Sequence, residues 1–257
     1  MSVLYSTKHA CDQDLPALAI DIHGNEQNLG ANNDAVSDAA ASSPVPTHPN
    51  AQQQDAVPFT DDELIAMTRA YLAAPSPDRW SAELVLRGPV IGPLAKPNLV
   101  DTLSAVSPND SFTDLEPNAF GFCVDPVEKH RVWWMVRPRG VFSKPYQHPV
   151  MGEIAPTGAR MIAPPQSQSA RWDEEGKIEY LSVGYVTDRF TGDTTGGMGA
   201  VFGMMKHMGV DIDGSVGSLS MRVVQRLGSV LPGIPKSFSA EQDIPSWWTD
   251  KRRGADP

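Results

Sequence analysis

Between Phe112 and Phe190 the chain carries three segments with the chemistry of β-strands, and this run constrains the fold more than any other stretch. Asn118 to Val124 alternates, with Phe120, Phe122 and Val124 on one face and Ala119, Gly121 and Cys123 on the other. Arg131 to Arg137 reads Arg-Val-Trp-Trp-Met-Val-Arg, apolar on both faces, and Lys177 to Asp188 is rich in Val, Ile and Tyr. Period-two runs bounded by Asp, Pro and Gly indicate antiparallel strands. Asp125-Pro126 opens the first connection, and Glu174-Glu175-Gly176 forms the last turn. Gln166 to Asp173 is expected to pair with the third run as a hairpin. Residues 138 to 166, rich in Pro and Gly, are expected to hold one short strand at Gly158 to Ala163.

Helices flank this region. Thr60 and Glu63 have capping-box spacing, and Leu64, Ile65, Thr68, Tyr71 and Leu72 follow as a helical stripe closed by Pro75 and Pro77. Asp78 to Glu83 is read as a helical turn carrying Trp80, and Leu84 to Ile91 as a strand ended by Gly88-Pro89. Pro97 to Val106 is a second helix with Leu99, Val100, Leu103 and Val106 on its apolar side. Further helices are expected at Met198 to Met208 and Val216 to Leu231. The order is helix, short helix, strand, helix, then a meander. It defines an α+β fold: a curved antiparallel sheet with helices on its concave face, cone-like, enclosing a pocket.

Composition sets the borders. Residues 1–57 are polar, with Ser43-Pro44-Val45-Pro46 and Gln52-Gln53-Gln54, and are read as a disordered acidic tail. Residues 58–210 form the α+β domain, and 211–257 a helical C-terminal extension. A net charge of −10 and a pI near 5.0 argue against nucleic acid and anionic membrane surfaces as partners. No apolar run reaches the length of a membrane span, and the N-terminus has neither a secretory signal nor a basic transit peptide. With Cys11 and Cys123 far apart, no disulfide framework is expected. A soluble protein of the cytoplasm or an organelle stroma is the reading that follows.

Several residues resemble a known family. Leu64 to Leu72, the Trp80 turn, Leu84 to Val90, and Leu99 to Val106 form one part of the match. Ser111-Phe112-Thr113-Asp114-Leu115-Glu116-Pro117 and Trp172-Asp173-Glu174-Glu175-Gly176-Lys177-Ile178 form the other. Together, over roughly residues 60 to 190, they resemble the SnoaL-like group of the nuclear-transport-factor-2-like superfamily; element order carries most of the weight. The Pro/Gly insertion at 138 to 166 and the C-terminal extension depart from it. The superfamily includes polyketide cyclases, ketosteroid isomerases, epoxide and dehydratase enzymes, a class of carbonic anhydrase, and non-catalytic binding domains. The resemblance implies a small-molecule-binding domain. Its expected chemistry is cofactor-independent acid–base isomerisation, cyclisation or dehydration of an apolar carbonyl compound. A non-enzymatic dimerisation or interaction module is the alternative.

The candidate site residues follow from position. Asp188 ends the last long strand, where SnoaL-like enzymes place an acid late in the fold; it serves either as the acid–base group or as a strand-end Asp capping the loop at Thr191. Arg137 is its expected anion-stabilising partner, with a surface pairing to an acid as the other reading. Trp80, Phe120, Phe122, Trp134, Tyr180 and Tyr185 are candidates to line an apolar pocket, or to be plain core. Parity puts Tyr180 and Tyr185 on opposite faces unless a bulge intervenes. The apolar Trp133-Trp134 strand asks for cover on both sides, which a second copy of the chain in a homodimer would supply. No cofactor is expected: Gly197-Met198-Gly199-Ala200-Val201-Phe202-Gly203 is one residue too long for a dinucleotide fingerprint and lacks a βαβ unit. No metal is expected either, since the six histidines have no helical i, i+4 partners.

Overall fold

A computed structural model describes residues 58–149, 151–210, 218–230 and 235–249. The expected tail at 1–57 lies outside these residues, as does the start of the helix expected from Val216. The first helix, α1 (Asp61–Ala73), begins where its capping box predicts. The Glu63 amide donates to Thr60 Oγ1, and the Glu63 carboxylate accepts from the Thr60 amide at 2.7 Å. After it comes one 3-10 turn, Pro77–Arg79, and then β1 (Trp80–Arg87). This corrects the helical turn expected at Asp78 to Glu83. Pro77, capped by Ser76, closes a single turn in which the Trp80 amide donates to the Pro77 carbonyl, and the chain is extended from Trp80 onward. β2 (Leu94–Ala95) leads directly into α2 (Lys96–Val106), with Pro97 in its first turn.

The strands β3 (Phe112–Glu116), β4 (Ala119–Val124) and β5 (Arg131–Val136) follow. The Pro/Gly-rich stretch then holds four short strands rather than one: β6 (Arg139–Phe142), β7 (Tyr146–His148), β8 (Gly152–Ile154) and β9 (Arg160–Ile162). The hairpin of β10 (Gln166–Trp172) and β11 (Ile178–Val186) closes as expected. Its Asp173 accepts from Gly176 through the backbone and from the Lys177 amide through Oδ1. The main sheet has the order β2-β1-β11-β10-β5-β4; β3-β6-β9 and β7-β8 form smaller sheets. The fold is a mixed α+β arrangement with few helices. One pair, β1 beside β11, runs parallel, so the main sheet is not wholly antiparallel as expected.

Two cores result. The larger lies between α1, α2 and the inner face of the main sheet, around Leu64, Trp80, Leu86, Leu99, Trp134 and Trp172. The smaller joins Phe112, Phe142 and Met161 to Met204 and Met205 of α3 (Ala200–His207) and to Met208 at its C-cap, so these methionines are core. α4 (Leu219–Val230) and the short α5 (Ser246–Thr249) complete the described elements. The residues around them reach back to the start of the main sheet. Ser239 Oγ accepts from the Ala95 amide at 2.8 Å and from Asn98 at 2.9 Å. Thr102 Oγ1 donates to the Lys236 carbonyl and accepts from the Lys236 amide, both at 3.1 Å.

Bulges decide which way the sheet's side chains point. In β4, Phe120 pairs with Met135 and Cys123 with Trp133, so Gly121 and Phe122 together oppose a single residue. Gly121 has φ +66°, the left-handed conformation that glycine adopts without cost. The alternation expected for this strand therefore breaks: Phe122 turns inward against Trp134, while Phe120 faces out and is 50% exposed. β11 has a second bulge at Gly184 (φ +81°), which sets Tyr185 opposite Ser167 on the outer face that Tyr180 shares with Arg171.

Candidate binding pocket

A cavity of about 140 Å³ lies between α1, α2, α3 and the inner face of the main sheet. Trp80 and Trp134 form part of its wall, and both indoles have hydrogen-bond partners. Trp80 Nε1 donates to Tyr71 Oη at 3.0 Å, and Trp134 Nε1 donates to Gln168 Oε1 at 3.1 Å. Leu72, Leu86, Leu103, Met161 and Leu181 supply apolar surface, and Ser107, Asn109, Gln166 and Gln168 supply the remaining polar groups. Gln166 is fully buried and accepts the Ala200 amide at 2.9 Å, which ties the start of α3 to β10. Gly199 makes that approach feasible: a Cβ there would lie 2.7 Å from the Gly184 carbonyl oxygen and 2.8 Å from Gln166 Oε1. Among the residues that line this cavity, Tyr71 is the one ordinary acid or base.

A second, wider cavity of about 550 Å³ adjoins the first and shares Leu86, Leu103, Val183, Ala200 and Val201 with it. It runs between the turn after β1, α2, the end of β11, the start of α3 and residues 235–237. Its volume falls within the roughly 300–1,000 Å³ of ordinary small-molecule sites.

The structure places the six expected pocket aromatics in different surroundings. Trp80 and Trp134 line the inner cavity, and Tyr185 borders the wider one. Phe122 is packed into the core with the Arg69 guanidinium 4.1 Å from its ring centre, and Phe120 faces outward, so neither lines a cavity. Tyr180 is on the outer face, stacked on Trp248 at 5.5 Å with the Arg131 guanidinium 4.8 Å from its ring. Burial pushes its phenol up, against the pull of Arg131.

Asp188 and Arg137 meet the same loop but line neither cavity. Asp188 is exposed; its carboxylate accepts from the Phe190 amide at 2.7 Å and from the Thr191 hydroxyl. The Thr191 hydroxyl, and then the Phe190 amide, hold its pKa below the usual carboxylate range. An acid–base group working near neutral pH needs the opposite shift. This is the geometry of a carboxylate closing a turn, and it gives no support to a catalytic role. Arg137 donates through Nη2 to the Thr191 and Gly192 carbonyls, at 3.3 and 2.9 Å, and so fastens the loop from its other side. The functional groups that sequence reasoning missed are Gln166 and Gln168. Their strand is polar on both faces, so alternation offers no signal of which side is interior.

Past Arg137 the loop is held by Asp193. Burial raises the pKa of Asp193, but the amides of Gly197 and Thr195 and the Thr195 hydroxyl outweigh it, and the net shift is downward. A depressed folded pKa contributes stability that is present above the unfolded value of about 3.9 and is lost as pH falls through the folded value. The Gly197 amide resonance should therefore be constant from neutrality to about pH 4 and shift below it, and Asp193→Asn should abolish the transition. A transition above about pH 5 would contradict this assignment.

Among the described residues no group of three or more His, Cys, Asp or Glu side chains could hold a metal ion, and no helix is long and apolar enough to cross a membrane. The chain matches no family model and no curated relative. Among solved structures, it is similar to one described as a SnoaL-like polyketide cyclase from Jannaschia sp. CCS1. The identity is 13%, half of this chain and 88% of the other are covered, and the TM-score is 0.37. A likeness that slight carries no argument about chemistry.

Proposed function

We propose that this chain is a small-molecule-binding domain of the SnoaL-like type whose ligand is an apolar compound with a hydrogen-bonding group, held without acid–base catalysis by Asp188. The observation that carries the reading is the inner cavity itself. It is apolar, walled by two indoles already satisfied by Tyr71 and Gln168, and lined by amides and hydroxyls rather than by carboxylates or histidines. Isomerisation or cyclisation needs a general acid or base within hydrogen-bond reach of the substrate, and the lining side chains offer none but a phenol. An interaction module is the second reading. What favours it is α4, which exposes Leu219, Val223 and Leu227 at four-residue spacing. The homodimer through the sheet belongs to this second reading.

The test is ligand binding followed through the lining indoles. Small neutral cyclic ketones of about six carbons, which suit a cavity of about 140 Å³, should quench Trp fluorescence and raise the melting temperature. Ala163→Leu, which adds bulk at a buried wall position, should abolish both effects while the protein still folds. Equal binding by the wild type and Ala163→Leu would remove the inner cavity from consideration.

A further inference from the structure

The wider cavity has a feature that the inner one lacks. Its lining includes two cations, Arg189 and Lys236, and no carboxylate. In a chain with 31 acidic and 21 basic residues, a cavity drawn at random would more often be lined by acids. Neither cation is spent on an ion pair with another described residue; the two ion pairs among those residues are Arg131–Glu128 and Arg171–Glu179.

Arg189 is exposed and Lys236 half-buried, and the chain at each is held by contacts unrelated to charge. The stem of Arg189 packs over Gly197, where a Cβ would lie 3.4 Å from Cγ and Cδ of the arginine; Gly197 has φ +73° and leaves that stem its seat. The backbone of Lys236 is clamped by its two hydrogen bonds with Thr102 Oγ1. Around them the wall is apolar, with Ile91, Leu99, Val106, Val183, Phe202 and Met205. The shared residues Leu86, Leu103 and Val183 continue that wall into the inner cavity.

We propose that the wider cavity is the site for the anionic head of a long-chain carboxylate, with Arg189 and Lys236 meeting the carboxylate and the chain running along the shared wall toward the inner cavity. The proposal rests on the small-molecule reading of the cavities and adds the ligand class. A guanidinium can take both oxygens of a carboxylate at once, and an ammonium adds a point charge. An apolar channel with cations in its lining discriminates by head group, because a neutral head leaves the cations with water alone.

The experiment uses the full chain and two probes of equal length, palmitate and hexadecanol, below their aggregation limits, followed by calorimetry. Palmitate is expected to bind about tenfold tighter than hexadecanol or better, and to weaken as salt is raised. In Arg189→Gln/Lys236→Gln that difference should vanish while hexadecanol binding is unchanged. If acid and alcohol bind wild type equally and the double variant alters neither, the head-group assignment fails and the cavity reading stands. If neither probe binds while the small neutral ketones do, the long-chain class is overturned and the inner cavity keeps its role. If no probe of either kind binds, both readings fall. Val90→Trp, at a residue that lines the wider cavity and not the inner one, should block palmitate and spare the ketones.

Discussion

Replacing Trp172 by Ala is expected to cost about 3–5 kcal/mol, a large share of the roughly 5–15 kcal/mol that holds a domain folded. Trp172 is 1% exposed and sits in the larger core, between β10 and α1. Its indole donates to Thr68 Oγ1 at 3.1 Å, and Thr68 in turn donates to the Leu64 carbonyl at 2.8 Å, so one side chain ties the sheet to the helix. Truncation removes the largest apolar surface at that seam and leaves a cavity that neighbouring strands cannot close. Trp172→Phe keeps most of the volume and loses the hydrogen bond, and should cost about 1–2 kcal/mol. Urea midpoints measure both. A loss below about 1 kcal/mol for Trp172→Ala would mean that the core is not packed as described.

Ending the chain at Val230 is the second change with a large expected effect. The segment removed covers the outer face where β1 and β2 begin the sheet. Val85 and Ala95 pair there beside Tyr180, both buried, and Trp248 stacks on the tyrosine. Without the segment, the Ala95 amide and Asn98 lose Ser239, and the Gly92 amide loses the Ser237 carbonyl. Each buried polar group left unpaired costs about 1–3 kcal/mol, so the loss should reach several kcal/mol. Ser239→Ala alone should cost about 1–3 kcal/mol. The truncated chain should also self-associate at micromolar concentration in sedimentation, through the bared apolar face. A truncated chain with the melting temperature and sedimentation of the full one would overturn this account of the outer face.

Much of the fold was legible because local chemistry and tertiary structure agree. Thr60 and Glu63 announce α1, Pro97 announces α2, and Asp173 to Lys177 announce the last hairpin. What escaped was non-local. No local pattern in Trp80 to Arg87 says that its neighbour is a strand beginning at Ile178. The short strands from Arg139 to Ile162 are hidden because three or four residues between prolines and glycines show too little alternation. The two bulges had the largest consequence for the site. One extra residue at Gly121 turns Phe120 out and Phe122 in, and one at Gly184 moves Tyr185 to the face of Tyr180. Trp134 lines the inner cavity from the strand expected at Arg131 to Arg137, whereas Trp80 does so from the first residue of β1, where a helical turn was expected. Asp188 was chosen by position alone, and the hydroxyl three residues on decides its environment.

The parallel pairing of β1 with β11 has a consequence in time. The two strands lie roughly a hundred residues apart in the chain, among the most distant partners the sheet contains. On a ribosome adding about 5–20 residues each second, β1 emerges many seconds before its long neighbour exists. Leu84 and Leu86, which end up buried, must wait through that interval with only the two-residue β2 beside them. Closure of the sheet is therefore a late event of synthesis, and the nascent chain has reason to engage a chaperone until Val186 has left the exit tunnel.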